Sequence, residues 1–586
     1  MHMRSLIFDI ETDDLKATKV WCIVAQDAES GKIYKFAPHQ LDSGLELLQS
    51  ADKLIGHNIL GFDIPVIKKL LGVDLSDKIL IDTLVLSRLF RPSREGGHSL
   101  SMWGYTLKYP KQDFEEFEIY TPKMLEYCVR DVQLNKLVLE ALKQESRGFS
   151  KESVELEHNV GLIMKRQEED GFDFDQPRAE KLLASFYKRM SEVEKEVQET
   201  FKPRKVVEEI HPSYKKDGSL SKLGTNEATN KKVHLLEDEY ILFKQGETSI
   251  IRTHEDEFNL GSRKQIGEYL QDFGWKPKKF TPTGLPVVDE RTLGRIKDIP
   301  EAELIGEYLL LQKRIAQVES WIEAVEEDGR VHGFVIPNGT ITGRMAHRKP
   351  NMAQVPSVKS PYGIECRSCW IVPKGYKLVG IDASGLELRM LAHYMKDEEF
   401  TNEIINGDIH SHNQKITGLK SRNQAKTFIY ALLYSAGNKR LGQVVGGSEA
   451  DGRRLRQHFF DNKPTFKTLR DRVTKAAKKG FVLGIDGRRI GIRNSYSALN
   501  TLLQGGGAIV MKKALTLLNE EARLRNLDFK FVANIHDEWQ VEVHEEHVEH
   551  FGKLGVKAIK EAGEHFNMRC PLDAEYKIGD DWSETH

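Results

Sequence analysis

The chain has 586 residues, is 39% hydrophobic and 30% charged, and carries a formal net charge of −2 at pH 7. That length exceeds a single hydrophobic core, so two or more domains are expected. No apolar run reaches the roughly 18 residues of a membrane span, which excludes a spanning helix, and the near-neutral charge excludes a uniformly basic surface. Any cations that serve a polyanion must therefore be segregated onto one face. The local basic clusters at Lys202 to Lys205, Lys215-Lys216, Lys276 to Lys279 and Arg453 to Arg456 read as solvated surface. Five cysteines (Cys22, Cys128, Cys366, Cys369, Cys570) are too few for a disulfide framework at this size and fit a reducing, intracellular setting. Cys366 and Cys369 have zinc-like spacing but no second pair close by. The N-terminus runs straight into a strand pattern and leaves no room for a signal peptide.

That first strand is Ser5-Leu-Ile-Phe-Asp-Ile-Glu-Thr12. The period of two puts Asp9 and Glu11 on one side of it. Adjacent acids repel, and a sheet tolerates the pair poorly unless a cation binds between them. Farther on, Asp63 precedes the helical run Val66 to Leu71, and Tyr127 and Asp131 stand at i and i+4 of a helix, sharing a face. In this order, within one domain-sized span, these pieces resemble the three motifs of DEDDy 3′→5′ exonucleases. The resemblance implies that Asp9, Glu11, Asp63 and Asp131 hold two divalent ions and that Tyr127 orients the attacking water. Two ions close together suit phosphodiester hydrolysis because they stabilise both the attacking and the leaving oxygen.

From Ser150 to Thr200 the sequence has helical periodicity, which breaks near Phe201. The following stretch, 201–261, is polar, with His211 to Gly218 reading as turns, and regular helix returns near Ser262 to Leu270. Such a segment is an insertion: by default a disordered surface loop, alternatively a docking site for a partner or DNA. Gly339 to Arg344 and Pro350 to Pro356 form a turn-rich passage that would expose Arg344, Asn351 and Gln354.

Leu378, Val379 and Ile381 read as a short buried strand, with Asp382 at its end and Ala383-Ser384-Gly385 turning into a helix, Leu386 to Met395. Asp382 is placed either to hold a metal at a cleft mouth or to cap that helix. On a helix from Ser421 to Tyr434, the residues Arg422, Lys426, Tyr430 and Tyr434 recur every four positions as a stripe. Cations followed by aromatics suit a triphosphate with a base stacked beyond it. Phe529 to Val543 reads as two strands about a tight turn with His536 and Asp537 at its tip, where an acid can meet Asp382 across a sheet.

The segments 382–389, 422–430 and 536–538 resemble motifs A, B and C of family A DNA polymerases, and their wording is similar to the replicative enzymes of T-seven-type phages. The resemblance spans nearly the whole chain and is weakest in 201–261. It implies an α/β chain: a ribonuclease-H-like exonuclease domain, 1–148, with a mixed sheet and flanking helices, then a right-hand polymerase domain, 149–586. The thumb would cover 149–330 with the insertion, the palm 331–409 and 481–586, and the fingers 410–480. Asp382 and Asp537 would ligate two Mg2+ (Mn2+ as a substitute) with the Ala383 carbonyl assisting, and Glu538 would support them. His410, Arg422 and Lys426 would hold the triphosphate, with Lys426 able to protonate the leaving group. Tyr430 would sit against the incoming nucleotide and, being Tyr, admit dideoxynucleotides. Glu387 would block a 2′-hydroxyl. Arg344, Gln504, His536 and Tyr434 would contact the primer-template, the first three from the minor-groove side.

The implied partners are primer-template DNA, dNTPs, host thioredoxin held by the 201–261 insertion, and a replicative helicase-primase, in the cytoplasm of a bacterial host. The resemblance also extends to the final residue, His586, which implies that this end packs near the palm. Two other readings are weighed. A nuclease whose C-terminal half only binds DNA is opposed by the intact palm acids and nucleotide helix. A single-subunit RNA polymerase is opposed by the attached proofreading motifs and by Glu387.

Overall fold

The computed structural model describes residues 3–586. The chain forms two compact units, one built from Met1–Gln176 with Glu323–His586 and the other from Pro177–Ile322. Among the described residues no helix is long and apolar enough to cross a membrane.

The larger unit holds two sheets. The N-terminal sheet is mixed and five-stranded, in the order Ile33–Phe36, Val20–Asp27, Ser5–Thr12, Lys53–Gly56, Ile79–Asp82. The first three strands are antiparallel neighbours, and the last two run parallel to Ser5–Thr12. Alternation along Ser5–Thr12 decides what each face meets. Leu6, Phe8 and Ile10 pack with Leu45, Leu48, Ile64 and Ile67. Ile7 points the other way, to Cys128, Val129 and Val132 of the helix Pro122–Glu145. Asp9 and Glu11 share the Ile7 parity and so face that helix. The helix starts where the sequence requires: Thr121 caps it by accepting from the Met124 amide, and Pro122 takes the first position.

The C-terminal sheet is antiparallel, in the order Phe529–Ile535, Glu538–His544, Tyr376–Ala383, Ala574–Gly579. Its apolar residues Val379, Ile381, Trp539, Val541 and Val543 join one core with the helices Ala498–Leu524 and Val548–His565.

The smaller unit corrects one expectation. The 201–261 stretch is a folded module rather than a disordered loop. Its antiparallel strands run in the order Ile250–Asp256, Arg204–Tyr214, Leu220–Asn226, Lys232–His234, with a helix at Glu237–Lys244. His211 and Pro212 lie inside a strand, with a bulge between Pro212 and Tyr214, so only the end of the 211–218 stretch turns, at Gly218 (φ +80°). Polar pairs tie its elements together. Arg252 forks onto Glu239 (2.8 and 2.5 Å) and donates to the His234 carbonyl, while the Asn226 amide donates to Glu208 (2.8 Å). Such strands lack the apolar alternation that would announce them.

The helix Lys151–Asp170 belongs to the larger unit and carries a buried ion cluster. Glu157 accepts from Lys512 Nζ at 2.7 and 2.9 Å and from Arg488 Nη1 at 2.5 Å, and Arg488 also holds Asp486. Burial alone would push the Glu157 carboxyl up, but Lys512 and Arg488 hold it below its usual 4.5. A depressed folded pKa means that this stability is complete above about pH 4.5 and is lost as pH falls through the lower folded value. Glu157→Gln strands Lys512 in the interior, Arg488 keeping Asp486, and is expected to cost about 3–5 kcal/mol. Urea unfolding across pH 3–7 checks this, the variant being less stable at pH 7 and flatter on the acid side.

Candidate active sites

The turn between Phe529–Ile535 and Glu538–His544 places His536 (φ +56°) and Asp537 beside the end of Tyr376–Ala383. The Ala383 amide donates to the Asp537 carbonyl at 3.0 Å, which pins the turn to the strand. Asp382 pairs in register with Glu538. The helix Leu386–Met395 is capped by Gly385 (φ +57°) with no side-chain cap, so Asp382 is not a helix cap. It lines a cavity of about 510 Å3 together with Asp537, Ala383, His536, Glu387, Tyr430, Tyr434, Arg344 and Gln504. Residues from five separate stretches of sequence therefore converge on one space.

The electrostatics of that cavity favour a cation. Burial, then the charges of Asp537 and Glu538, push the Asp382 carboxyl up to about 7, and burial raises Asp537 as well. Glu387 is fixed at the wall: Tyr434 Oη donates to both its oxygens (3.0 and 2.8 Å) and Arg344 Nη2 to one (3.1 Å). Glu538 is buried and occupied, accepting from Trp582 Nε1 (2.8 Å) and Gln540 Nε2 (2.7 Å), with His586 Nδ1 at 2.7 Å. Burial pushes its carboxyl up, but His586, Trp582 and the charge of Arg367 outweigh that and hold it below the usual range. Thr585 donates to Gln540 (2.7 Å), and Gly380 makes room for this last segment: a Cβ there would lie 2.4 Å from the Thr585 carbonyl.

On the N-terminal sheet, Asp63 opens the helix Asp63–Leu71 and accepts from the Ile10 amide (3.2 Å), which seats it beside Asp9. Burial, followed by Asp131, pushes Glu11 up to about 9. Burial raises Asp63 to about 7, and burial with Asp63, Glu11 and Asp131 raises Asp9. Asp131 is raised by burial too, and its Oδ1 is buried without a hydrogen-bond partner. Four carboxylates thus crowd one place: the strand period had put Asp9 with Glu11, and the resemblance had implied Asp63 and Asp131 beside them. Tyr127 stands beside them, its ring 5.4 Å from that of Phe114.

A family model described as DNA polymerase family A matches residues 226–584. Over nearly its whole length the chain is similar to a DNA-directed DNA polymerase of Enterobacteria phage T3, at 33% identity across 99% of this chain and 100% of the relative. The counterpart from Escherichia phage T7 is 32% identical over the same shares. The chain belongs to DNA polymerase family A. Its fold is like that of a solved complex, the POL domain of Pol1 from M. smegmatis with DNA primer-template and dNTP (TM-score 0.76, 18% identity, 99% of this chain and 96% of that one). DNA-directed DNA synthesis is therefore its activity, and the RNA-polymerase and nuclease-only readings fall away.

Within this family A polymerase, the stripe residues stand apart from one another. Tyr430 and Tyr434 line the cavity, whereas Arg422 is turned into an exposed pair with Asp408 (2.5 Å) and Lys426 is exposed. His410 is buried, 6.2 Å from the Tyr430 ring, and burial with the charges of Arg422 and Lys426 holds it below its usual pKa. Of the turn-rich passage, Arg344 is half-buried in the cavity wall, while Asn351 and Gln354 are exposed and Asn351 caps a short helical turn. Cys366 and Cys369 are buried and belong to no metal-like cluster among the described residues. The sequence reading missed Trp582 and Gln540 around Glu538. It also missed Cys128, whose Sγ lies 3.8 Å from Asp9 Oδ2, and Lys111, described below. Only the Asp9–Glu11 repulsion hinted that such partners were needed.

Proposed function

We propose that this polymerase extends a primer 3′-hydroxyl with dNTPs at Asp382 and Asp537, and removes nucleotides from the 3′ end at Asp9, Glu11, Asp63 and Asp131. The observation that carries the first activity is the convergence of both palm acids with Tyr430 and Glu387 on one cavity. The donor sets fit hard divalent cations such as Mg2+, with Mn2+ as a substitute: carboxylate oxygens, with the Ala383 carbonyl in the palm and the unpartnered Asp131 Oδ1 in the nuclease site. Two such ions, when bound, ease deprotonation of the attacking hydroxyl or water and neutralise the phosphate charge.

The protein's own groups do the rest. Tyr430 bounds the nucleotide side of the cavity, and Glu387, immobilised by Tyr434 and Arg344, presents a fixed wall to the sugar. His410, Arg422 and Lys426 supply donors for the triphosphate, Arg422 by leaving Asp408, with Lys426 placed to return a proton to pyrophosphate. Arg344, Gln504 and His536 meet the primer-template end. Tyr127 orients water in the nuclease site. The inserted module is proposed to dock a processivity partner, thioredoxin being the one that the resemblance implies, and it exposes Val207, Tyr214, Leu236 and Ile251.

Primer extension with deoxy- and ribonucleotides tests the two sites separately. Asp382→Ala is expected to abolish synthesis while leaving 3′ degradation, and Asp9→Ala to do the reverse; synthesis that survives Asp382→Ala sinks the palm assignment. Because Asp382 holds its proton up to about pH 7, ion binding there displaces a proton. The Mg2+ concentration giving half-maximal synthesis is therefore expected to fall as pH rises from 6 to 8, and a requirement independent of pH contradicts this. Thioredoxin added to a long primed template is expected to lengthen the product of a single binding event; unchanged product length removes that partner.

A further inference from the structure

The segment 109–121, between the helices Leu100–Thr106 and Pro122–Glu145, forms neither helix nor strand, yet it is fastened on both sides of Lys111. Before it, Tyr109 donates to Gln133 (2.9 Å), and Arg130 lies 3.3 Å over the Tyr109 ring while donating to the Pro110 carbonyl (3.1 Å). After it, Trp21 Nε1 donates to the Phe117 carbonyl (2.8 Å), and Phe114 and Phe117 pack against the Tyr127 ring at 5.4 and 6.0 Å. Lys111 itself reaches into the carboxylate cluster, its Nζ 2.5 Å from Asp131 Oδ2 and 4.8 Å from the centre of the Tyr127 ring.

Lys111 is the sole base of that segment, which also carries Asp113, Glu115, Glu116 and Glu118, all exposed. A lysine needed only for surface pairing had four acids at hand; this one is turned inward instead. Its side chain is 24% exposed against 5% for Asp131, so the lysine is the partner of the pair that solvent reaches. The cation, the Tyr127 ring and a candidate metal carboxylate thus lie side by side, and the other oxygen of that carboxylate has no partner.

We propose that Lys111 is a catalytic residue of the 3′→5′ exonuclease, facing the terminal phosphodiester of a DNA 3′ end and stabilising the charge that builds on its non-bridging oxygens. This rests on the exonuclease reading above. As water attacks, negative charge spreads over the equatorial oxygens, and a fixed cation aimed at that charge is worth roughly 10²–10³ in rate. No bond to the lysine forms, so nothing beyond water and the phosphodiester is consumed.

The test measures degradation of a 5′-labelled single-stranded oligonucleotide by the full chain and its Lys111→Ala, Lys111→Met and Lys111→Arg variants, over a Mg2+ titration. Binding of the same oligonucleotide in EDTA is followed by fluorescence anisotropy. Lys111→Ala and Lys111→Met are expected to lower kcat at saturating Mg2+ roughly a hundredfold and to weaken binding in EDTA. Lys111→Arg should recover part of both, with primer extension unchanged in all three. If Lys111 only balances the carboxylates, its removal leaves kcat at saturating Mg2+ intact and merely lowers the Mg2+ needed, which overturns the proposal. Degradation that persists in Asp9→Ala, or is lacking in the parent, overturns the exonuclease reading itself.

Discussion

Like-charged carboxylates held together against their own repulsion are the constraint on which this structure turns. At both sites the backbone imposes the crowding. The period of two along Ser5–Thr12 places Asp9 and Glu11 on one face, and the Ile10 amide holds Asp63 beside Asp9. In the palm, the Ala383 amide ties the Asp537 turn to the end of the Asp382 strand. Burial then denies each acid the water that would make ionisation easy, so Glu11, Asp63 and Asp382 hold their protons toward neutral pH. A sheet accepts that strain when a cation relieves it, which is why these places read as metal sites and not as surface acids.

The acids that are not left needy sharpen the contrast. Glu538 lies directly opposite Asp382, yet its oxygens are occupied by Trp582, Gln540 and His586 and its pKa goes down. It therefore acts as a fixed negative neighbour that raises Asp382, and as the anchor that holds the final segment of the chain against the palm. Glu157 is satisfied in the same way by Lys512 and Arg488. The next residue, His158, accepts from the Asp82 amide at the edge of the N-terminal sheet (2.8 Å). One helix thus grips the palm with Glu157 and the N-terminal sheet with His158, so that the two sites share a single framework.

What was legible in the sequence was what regular periods carry. Asp9 with Glu11, Tyr127 with Asp131, and the His536-Asp537 turn sit where strand and helix geometry puts them. That the turn-tip Asp537 can meet Asp382 across a sheet was legible as a possibility, and the resemblance gave the pair its role; the meeting itself depends on tertiary packing. The inserted module was illegible because its strands lack apolar alternation; Asn226–Glu208 links two of them and Arg252–Glu239 ties an edge strand to the helix. Lys111 was illegible for a related reason: it lies on a segment without period, and its inward turn depends on Arg130, Trp21 and Tyr127, which the sequence does not place beside it.

Charge segregation follows the same logic. A near-neutral chain that handles a polyanion must gather its cations on one face, and the clusters that stand out in the sequence are not where the gathering is densest. Between residues 464 and 493 the exposed charges are Lys467, Arg472, Lys475, Lys478, Lys479, Arg489 and Arg493, against Asp471 alone. The other acid there, Asp486, is buried and neutralised by Arg488 within the Glu157 cluster. Spacing along the chain hides this strip, because a helix and a hairpin must fold beside each other before their cations add up. The buried ion cluster takes up Asp486, so only Asp471 offsets these exposed cations, and the same interaction that secures the palm keeps the strip positive.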